Sequence, residues 1–244
     1  MLWNKLFFND AHNLRWLFKS LSPTVTCINI TKYTVMKKIG LIGDPHSFAA
    51  TVVEAITVLQ EHHADEIWCA GDIAGYGEDL GQLVTLLKKN HCHAIKGNHE
   101  NWYLEKYKDN HDPETYDYLL SLPYVKEEII EQKKVYMVHG SPPDSVMQGI
   151  RLLDQSGNLI ESERLIWQQS LSKYDFDVLI VGHTHQVFAE QLGNILVINP
   201  GSCHFNRCCG ILTLPQLTVD WYPLAGKSVR KSWNWGMNMS ESGV

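Results

Sequence analysis

Five short polar motifs hold the residues best able to do chemistry: Gly43-Asp44-Pro45-His46, Gly71-Asp72, Gly97-Asn98-His99-Glu100, His139-Gly140 and Gly182-His183-Thr184-His185. Asp44, His46, Asp72, Asn98, His139, His183 and His185 together make a mixed nitrogen and oxygen donor set. Such a set suits Mn, Fe, Zn or Co better than Ca, which prefers oxygen alone. Two Asp, one Asn and four His exceed what a single ion needs, so two ions sharing a carboxylate are expected. Ions about 3.5–4 Å apart can bind a hydroxide between them and clamp phosphoryl oxygens for in-line attack. A lone His is more often satisfied within a fold than a ligand, and His12, His62, His63, His91, His93, His111 and His204 are read that way.

Each motif follows a segment that reads as a strand. Lys38–Ile42, Glu66–Ala70, His93–Ile95, Lys134–Val138 and Asp177–Val181 are short apolar runs, several of them bounded by Gly. In open α/β sheets, sites form beyond the carboxyl ends of strands. Between them, Phe48, Val52, Val53, Ile56 and Leu59 share one helical face, with Ser47 as the expected cap. Leu80, Leu83, Val84 and Leu87 mark a second helix, with Lys88 and Lys89 in its last turn. Further helices are predicted from Asp112 to Leu120 and over 161–172. Strands are predicted at 125–130, 187–191, 194–198, 208–214 and 217–222, which makes the second half mixed or antiparallel. The alternation places the chain in the α/β class.

The motifs D-x-H, GD, GNHE, HG and GHTH, in this order, resemble the calcineurin-like metallophosphoesterase superfamily. The likeness covers about residues 37 to 222. Gly71–Gly77 (GDIAGYG) and Asn199-Pro200-Gly201-Ser202 resemble its small bacterial and archaeal phosphodiesterase branch. The resemblance implies a four-layer αββα sandwich of two mixed β-sheets flanked by helices, which some schemes class as α+β. It implies that Asp44, His46, Asp72 and His185 hold one divalent metal, and Asp72, Asn98, His139 and His183 a second. Manganese comes first among the ions, with Fe, Zn, Co, Ni or Mg as alternatives. His99 would be the catalytic, non-ligand His, acting on the leaving oxygen. The implied activity is hydrolysis of phosphate esters, first of all phosphodiesters, with phosphomonoesters and dinucleoside tetraphosphates as alternatives. Serine/threonine protein phosphatases of the superfamily carry GDxVDRG and RGNHE. Here GDIAGYG and Lys96 stand instead, so the Arg pair that grips phosphate is missing. A non-catalytic module is the reading from another class: a eukaryotic retromer subunit shares the fold without an intact catalytic set. The presence of His99 speaks against it. Arg207 is a candidate phosphate contact, Tyr76 a pocket residue or loop packing, and Glu100 an acid that orients His99 or faces solvent.

Length and composition bound the rest. The 244 residues are 44% hydrophobic and 20% charged, an ordinary globular balance. Residues 36–225 hold 14 Lys/Arg against 25 Asp/Glu, so the body is far more acidic than the formal −6 of the whole chain. Extended nucleic-acid binding is disfavoured, and small phosphate esters, including nucleotide-like ones, are the expected partners. A homo-oligomer is admitted. Six Cys without a C-x-x-C pair read as reduced thiols, and no apolar run is long enough for a membrane span, so a cytoplasmic setting is expected. Cys203, His204, Cys208 and Cys209 fit no common zinc spacing and read as small apolar packing. Residues 1–35 form a partly amphipathic N-terminal extension, with Met36 a natural start for the domain. Residues 36–225 are the expected metallophosphoesterase domain and 226–244 a tail whose Trp233 and Trp235 dock on the body. Asn29 and Asn238 lie in glycosylation sequons that arise often by chance.

Overall fold

The computed structural model describes residues 36–110 and 112–233. The N-terminal extension with Cys27 and Asn29, together with His111, Trp235 and Asn238, lies outside the described residues.

Two five-stranded sheets carry the chain. The first runs β10-β9-β1-β2-β3, with β1 (Lys37–Ile42), β2 (Glu66–Cys69) and β3 (His93–Ala94) parallel. β9 (Cys208–Leu214) and β10 (Thr218–Pro223) complete it antiparallel. The second runs β4-β5-β6-β8-β7, with β5 (Lys133–Val138), β6 (Val178–Ile180) and β8 (Ile195–Pro200) parallel. β4 (Val125–Ile130) and β7 (Val187–Leu192) flank it antiparallel.

Strand side chains alternate between faces, so each strand serves two cores. Ile39, Leu41, Trp68, Met137, Val178, Ile180, Leu196, Ile198, Leu212 and Leu214 meet between the sheets. Ile42, Cys69, Cys209 and Ile211 turn the other way, onto α1 (Ala49–Glu61) and α2 (Leu80–Lys89). Val138, Leu179, Val181 and Val197 turn outward with Leu171 of α5 (Glu161–Leu171). Helix, sheet, sheet, helix is the four-layer order. Gly40 lets α1 lie close on β1, since a Cβ there would meet Leu59 Cδ1 at 2.9 Å.

The helices differ from the sequence reading in two places. α3 (Asn98–Lys106) precedes the expected α4 (Pro113–Ser121) and is a helix that apolar spacing does not announce. Its sequence, NHENWYLEK, is polar on average, and its start is made by Glu100 accepting from Gly97 N at 2.6 Å. α4 begins as composition suggests, with the Asp112 carboxylate accepting from Thr115 N at 2.9 Å and Pro113 in the first turn. Ser47 does not cap α1. Phe48 takes that place, and the Ser47 hydroxyl donates instead toward Ile73 O at 3.5 Å.

The five described cysteines are free thiols. Cys203, Cys208 and Cys209 are buried in apolar packing, and no metal-competent group among the described residues includes a cysteine. Trp233 is buried, with its ring 4.9 Å from Phe205 and its backbone N–H donating to His185 O at 3.1 Å. Val187 N also donates to Lys231 O at 2.8 Å, so the segment before Trp233 straps the loop that bears His185.

Candidate metal centre

All seven expected ligands come together, and the two sheets share the work unequally. The first sheet delivers Asp44 and His46 after β1, Asp72 after β2, and Asn98 with His99 after β3. The second delivers His139 after β5, and His183 and His185 after β6. Every oxygen donor of the set comes from the first sheet, and three of the four ligand imidazoles from the second. Asp44, His46 and His185 form one group whose donor atoms lie within 4.8 Å of one another. Asp72, His139 and His183 form another, and His46, Asp72 and His99 a third, so Asp72 sits where groups overlap. Asn98 joins the second group through Oδ1, 2.9 Å from His183 Nδ1 and 3.2 Å from His139 Nε2.

The backbone is bent to aim these side chains. Asp44, His46, Asp72, His183 and His185 all have positive φ, between 43° and 66°. For residues with a Cβ this left-handed region costs about 1–3 kcal/mol each and persists where the surroundings impose it. Hydrogen bonds impose it here. His46 N donates to Asp72 O at 2.9 Å, Ser47 N to Ile73 O at 2.7 Å, and Ser202 Oγ to Asp44 O at 2.6 Å. Across the seam, His183 N donates to Asp44 Oδ1 at 3.0 Å. Gly97 must be glycine, because a Cβ there would collide with Asp72 Oδ1.

Glu100 is neither a solvent-facing acid nor a partner of the His99 ring. It is wholly buried and accepts from the backbone N–H of Asp72 (2.9 Å), Ala74 (2.8 Å) and Gly97 (2.6 Å). It thus ties the loop after β2 to the start of α3. Burial, with Asp72 close by, pushes its carboxyl up to about 7, against the pull of the donated N–H groups.

The donor set fits divalent cations on three observations. First, Asp44 Oδ2 is buried without a hydrogen-bond partner, which a native carboxylate oxygen rarely tolerates. Second, His46 Nε2 and His185 Nε2 face each other at 2.9 Å, two nitrogens converging on one point. Third, the remote nitrogens of two imidazoles are held by carbonyls. His139 Nδ1 lies 2.7 Å from Ala70 O and His46 Nδ1 3.3 Å from Ala74 O. A carbonyl only accepts, so each Nδ1 carries hydrogen and each Nε2 points its lone pair inward when the ring is neutral.

Charge in the site is sharply divided. Burial works against the Asp44 carboxylate, yet the hydrogen bond and charge of His185 keep its carboxyl below the usual range. Asp72 is likewise held well below it, burial being outweighed by His139 and then His46. Burial alone would neutralise His139, but Asp72 overrides it and raises the imidazole to about 10. His46 goes the other way: burial lowers it to about 3 despite Asp72. Burial also lowers His99 and His183.

His99 stands beside this set. Its Nε2 is 3.9 Å from Asp72 Oδ2 and 3.3 Å from the Tyr76 hydroxyl. Tyr76 is therefore part of the site, with its ring also 4.8 Å from His46. Arg207 is not. It lines a separate cleft with Gln155, Ser156 and Lys231 that holds no member of the donor set. Lys96 also points away, donating to Leu120 O at 2.8 Å with its ammonium 5.3 Å from the Tyr124 ring centre.

Residues 36–214 match the family model of the calcineurin-like phosphoesterase superfamily domain. The chain belongs to that superfamily. Members hydrolyse phosphate esters with divalent metal ions, and this phosphoesterase carries Asp and His groups able to bind them. A Methanocaldococcus jannaschii protein described as uncharacterized is 27% identical over 195 residues, covering 71% of this chain and 72% of its own. A phosphodiesterase of the same organism is 22% identical over 200 residues, covering 75% and 91%. Among solved structures, a Sphaerobacter thermophilus metallophosphoesterase aligns with a TM-score of 0.57 at 21% identity, over 78% of this chain and 88% of that one. An archaeal phosphodiesterase aligns with a TM-score of 0.52 at 20% identity, over 77% and 99%. These structural likenesses concern the fold. Among the described residues, no helix is long and apolar enough to cross a membrane.

Proposed function

We propose that this phosphoesterase is a phosphodiesterase working with two divalent cations, manganese foremost. Asp44, His46, Asp72 and His185 would hold one, and Asp72, Asn98, His139 and His183 the other, with Asp72 shared. When bound, such a pair supplies Lewis acidity to phosphoryl oxygens and lowers the pKa of water. The chain's own residues do the rest. Asp44 and Asp72 bring the negative charge that retains cations, and the left-handed loops keep both carboxylates aimed without rearrangement. Asn98 Oδ1 adds an uncharged oxygen between His139 and His183. His99, with 13% of its side chain exposed, offers Nε2 at the site's open side, where it can hydrogen-bond or protonate the leaving oxygen. Tyr76 steadies that ring from 3.3 Å.

The observation that carries this reading is the overlap of the donor groups on Asp72, with a non-ligand imidazole beside them. The curated relative named a phosphodiesterase supports the choice among ester classes. Free thiols at Cys69, Cys92, Cys203, Cys208 and Cys209 support a reducing compartment, which we take to be the cytoplasm. The test is hydrolysis of bis(p-nitrophenyl) phosphate by the chelated protein with and without added Mn. Turnover should require the metal, and His99→Ala should lower kcat by about 10²–10⁴. Turnover that ignores metal, or full turnover by His99→Ala, would refute the assignment.

A further inference from the structure

We propose that the pocket beside His99 seats a planar aromatic ring of the substrate's leaving group, which rests on the phosphodiesterase reading and narrows it to aryl or nucleoside esters. His99, Trp102, Tyr103 and Lys106 recur at i, i+3, i+4 and i+7 along α3, so they share one face of the helix. That face looks across a pocket of about 380 Å³ onto the loop containing Gly75, Gly77 and Glu78. The volume lies in the range of small-molecule sites.

Its walls are unlike in a way that suits a flat ring. One side is loop backbone with Ala74 and Leu80 beside it; a Cβ at Gly77 would meet Ser47 O at 2.6 Å, so the loop is held flat against Ser47 there. The other side is aromatic. The Trp102 ring lies 4.7 Å from His99, and Tyr103 lies 4.7 Å from Tyr107. Trp102 is 54% exposed and belongs to no core cluster, although it is the largest apolar side chain on a polar helix. A core role does not account for it, whereas a ring stacking against it would cover it. Charged groups stand at the pocket's edge for polar ring substituents: the Glu78 carboxylate and the Lys106 ammonium, the latter 4.9 Å from the Tyr107 ring centre. A group bound there enters beside the His99 Nε2 assigned to the leaving oxygen. The larger cleft of about 770 Å³, along Val187–Glu190 and Leu217–Val219, is lined by neither His99 nor any member of the donor set.

Equilibrium dialysis of the full-length, Mn-loaded protein against adenosine 5′-monophosphate and ribose 5-phosphate isolates the ring. Both probes carry the same phosphate on a ribose 5′ oxygen, and one lacks the base. The wild type should bind the nucleotide about tenfold tighter or better, the order that base-on-aromatic stacking supplies. Trp102→Ala should erase that preference by weakening the nucleotide alone, and Trp102→Phe should keep most of it. Equal binding of the two probes by the wild type, or equal weakening of both by Trp102→Ala, overturns the proposal. The outcome is separable from the hydrolytic reading. Ring-dependent binding without phosphodiester turnover would refute that reading and retain the pocket as an aromatic site, and turnover without ring preference would do the reverse.

Discussion

The two sheets have the same number of strands and make different contributions to one site. Each has three parallel strands: β1, β2 and β3 all lead into donor residues, whereas of β5, β6 and β8 only β5 and β6 do. The first sheet presents Asp44, Asp72 and Asn98, the hard oxygen donors. The second presents His139, His183 and His185, and nothing anionic. Neither half is a metal site alone. The first would bring two carboxylates together with little to offset their charge, and the second would gather imidazoles with no net attraction for a cation. Packing the sheets face to face solves both problems, and the interlayer core around Trp68, Met137 and Ile198 is what holds the halves in register. Protonation shows the same division. His139 of the second sheet faces Asp72 and is raised to about 10. His46 of the first is buried deeply enough to fall to about 3.

The comparison can be broken most severely at Asp72, the residue both halves share. Asp72→Ala should lower phosphodiester turnover by on the order of 10³ or more, since several kcal/mol of metal-derived stabilisation go with it. The check is kcat/KM under saturating Mn. Next comes the interface between the sheets. Trp68 is fully buried there, and Trp68→Ala should cost about 3–5 kcal/mol in denaturant unfolding. Glu100→Gln probes the first sheet's loops alone. An amide has one acceptor oxygen where the carboxylate has two, so at least one of the three bound N–H groups loses its partner, at about 1–3 kcal/mol. Metal affinity should fall about 10–100-fold, as when an orienting partner is lost.

The smallest effect is in pH dependence of the chelated protein. Between about 6.5 and 10 the folded chain holds a proton on His139 that the unfolded chain releases, so stability should fall as pH rises through that window. Between about 3 and 6.5 the unfolded chain protonates His46 and the folded chain does not, so stability should fall as pH drops. Unfolding titrations of His139→Gln should lose the alkaline slope and those of His46→Gln the acid one. Unchanged slopes in both variants would contradict the division.

Much of this was legible in the sequence, for identifiable reasons. Strand alternation and the Gly-bounded runs expose β1, β2, β5 and β6, and each motif follows its strand directly. The donor set is legible because ligand chemistry restricts residue type. α3 is not, because its stability comes from Glu100 and Gly97 rather than from an apolar stripe. The role of Glu100 depends on three backbone N–H groups up to 28 residues away in the chain, which no local pattern encodes. Arg207 looked placed for phosphate because it follows the Asn199–Ser202 turn, yet the turn sends it to another cleft. The i, i+3, i+4 and i+7 placement of His99, Trp102, Tyr103 and Lys106 was the missed signal, visible only once 98–106 is known to be helical. Pairing between the sheets was beyond local reading altogether, since Asp44 and His185 are remote in sequence.

The central claim is that the oxygen donors and His46 from one sheet and three imidazoles from the other bind two cations through Asp72. Calorimetric titration of the chelated protein with Mn tests it most directly, run at pH 8 in buffers of different ionisation heat. The account predicts two Mn ions per chain, proton release as the cation displaces the His139 proton, and loss of both ions in Asp72→Asn. Binding of no Mn by the wild type, or undiminished two-ion binding by Asp72→Asn, would contradict it.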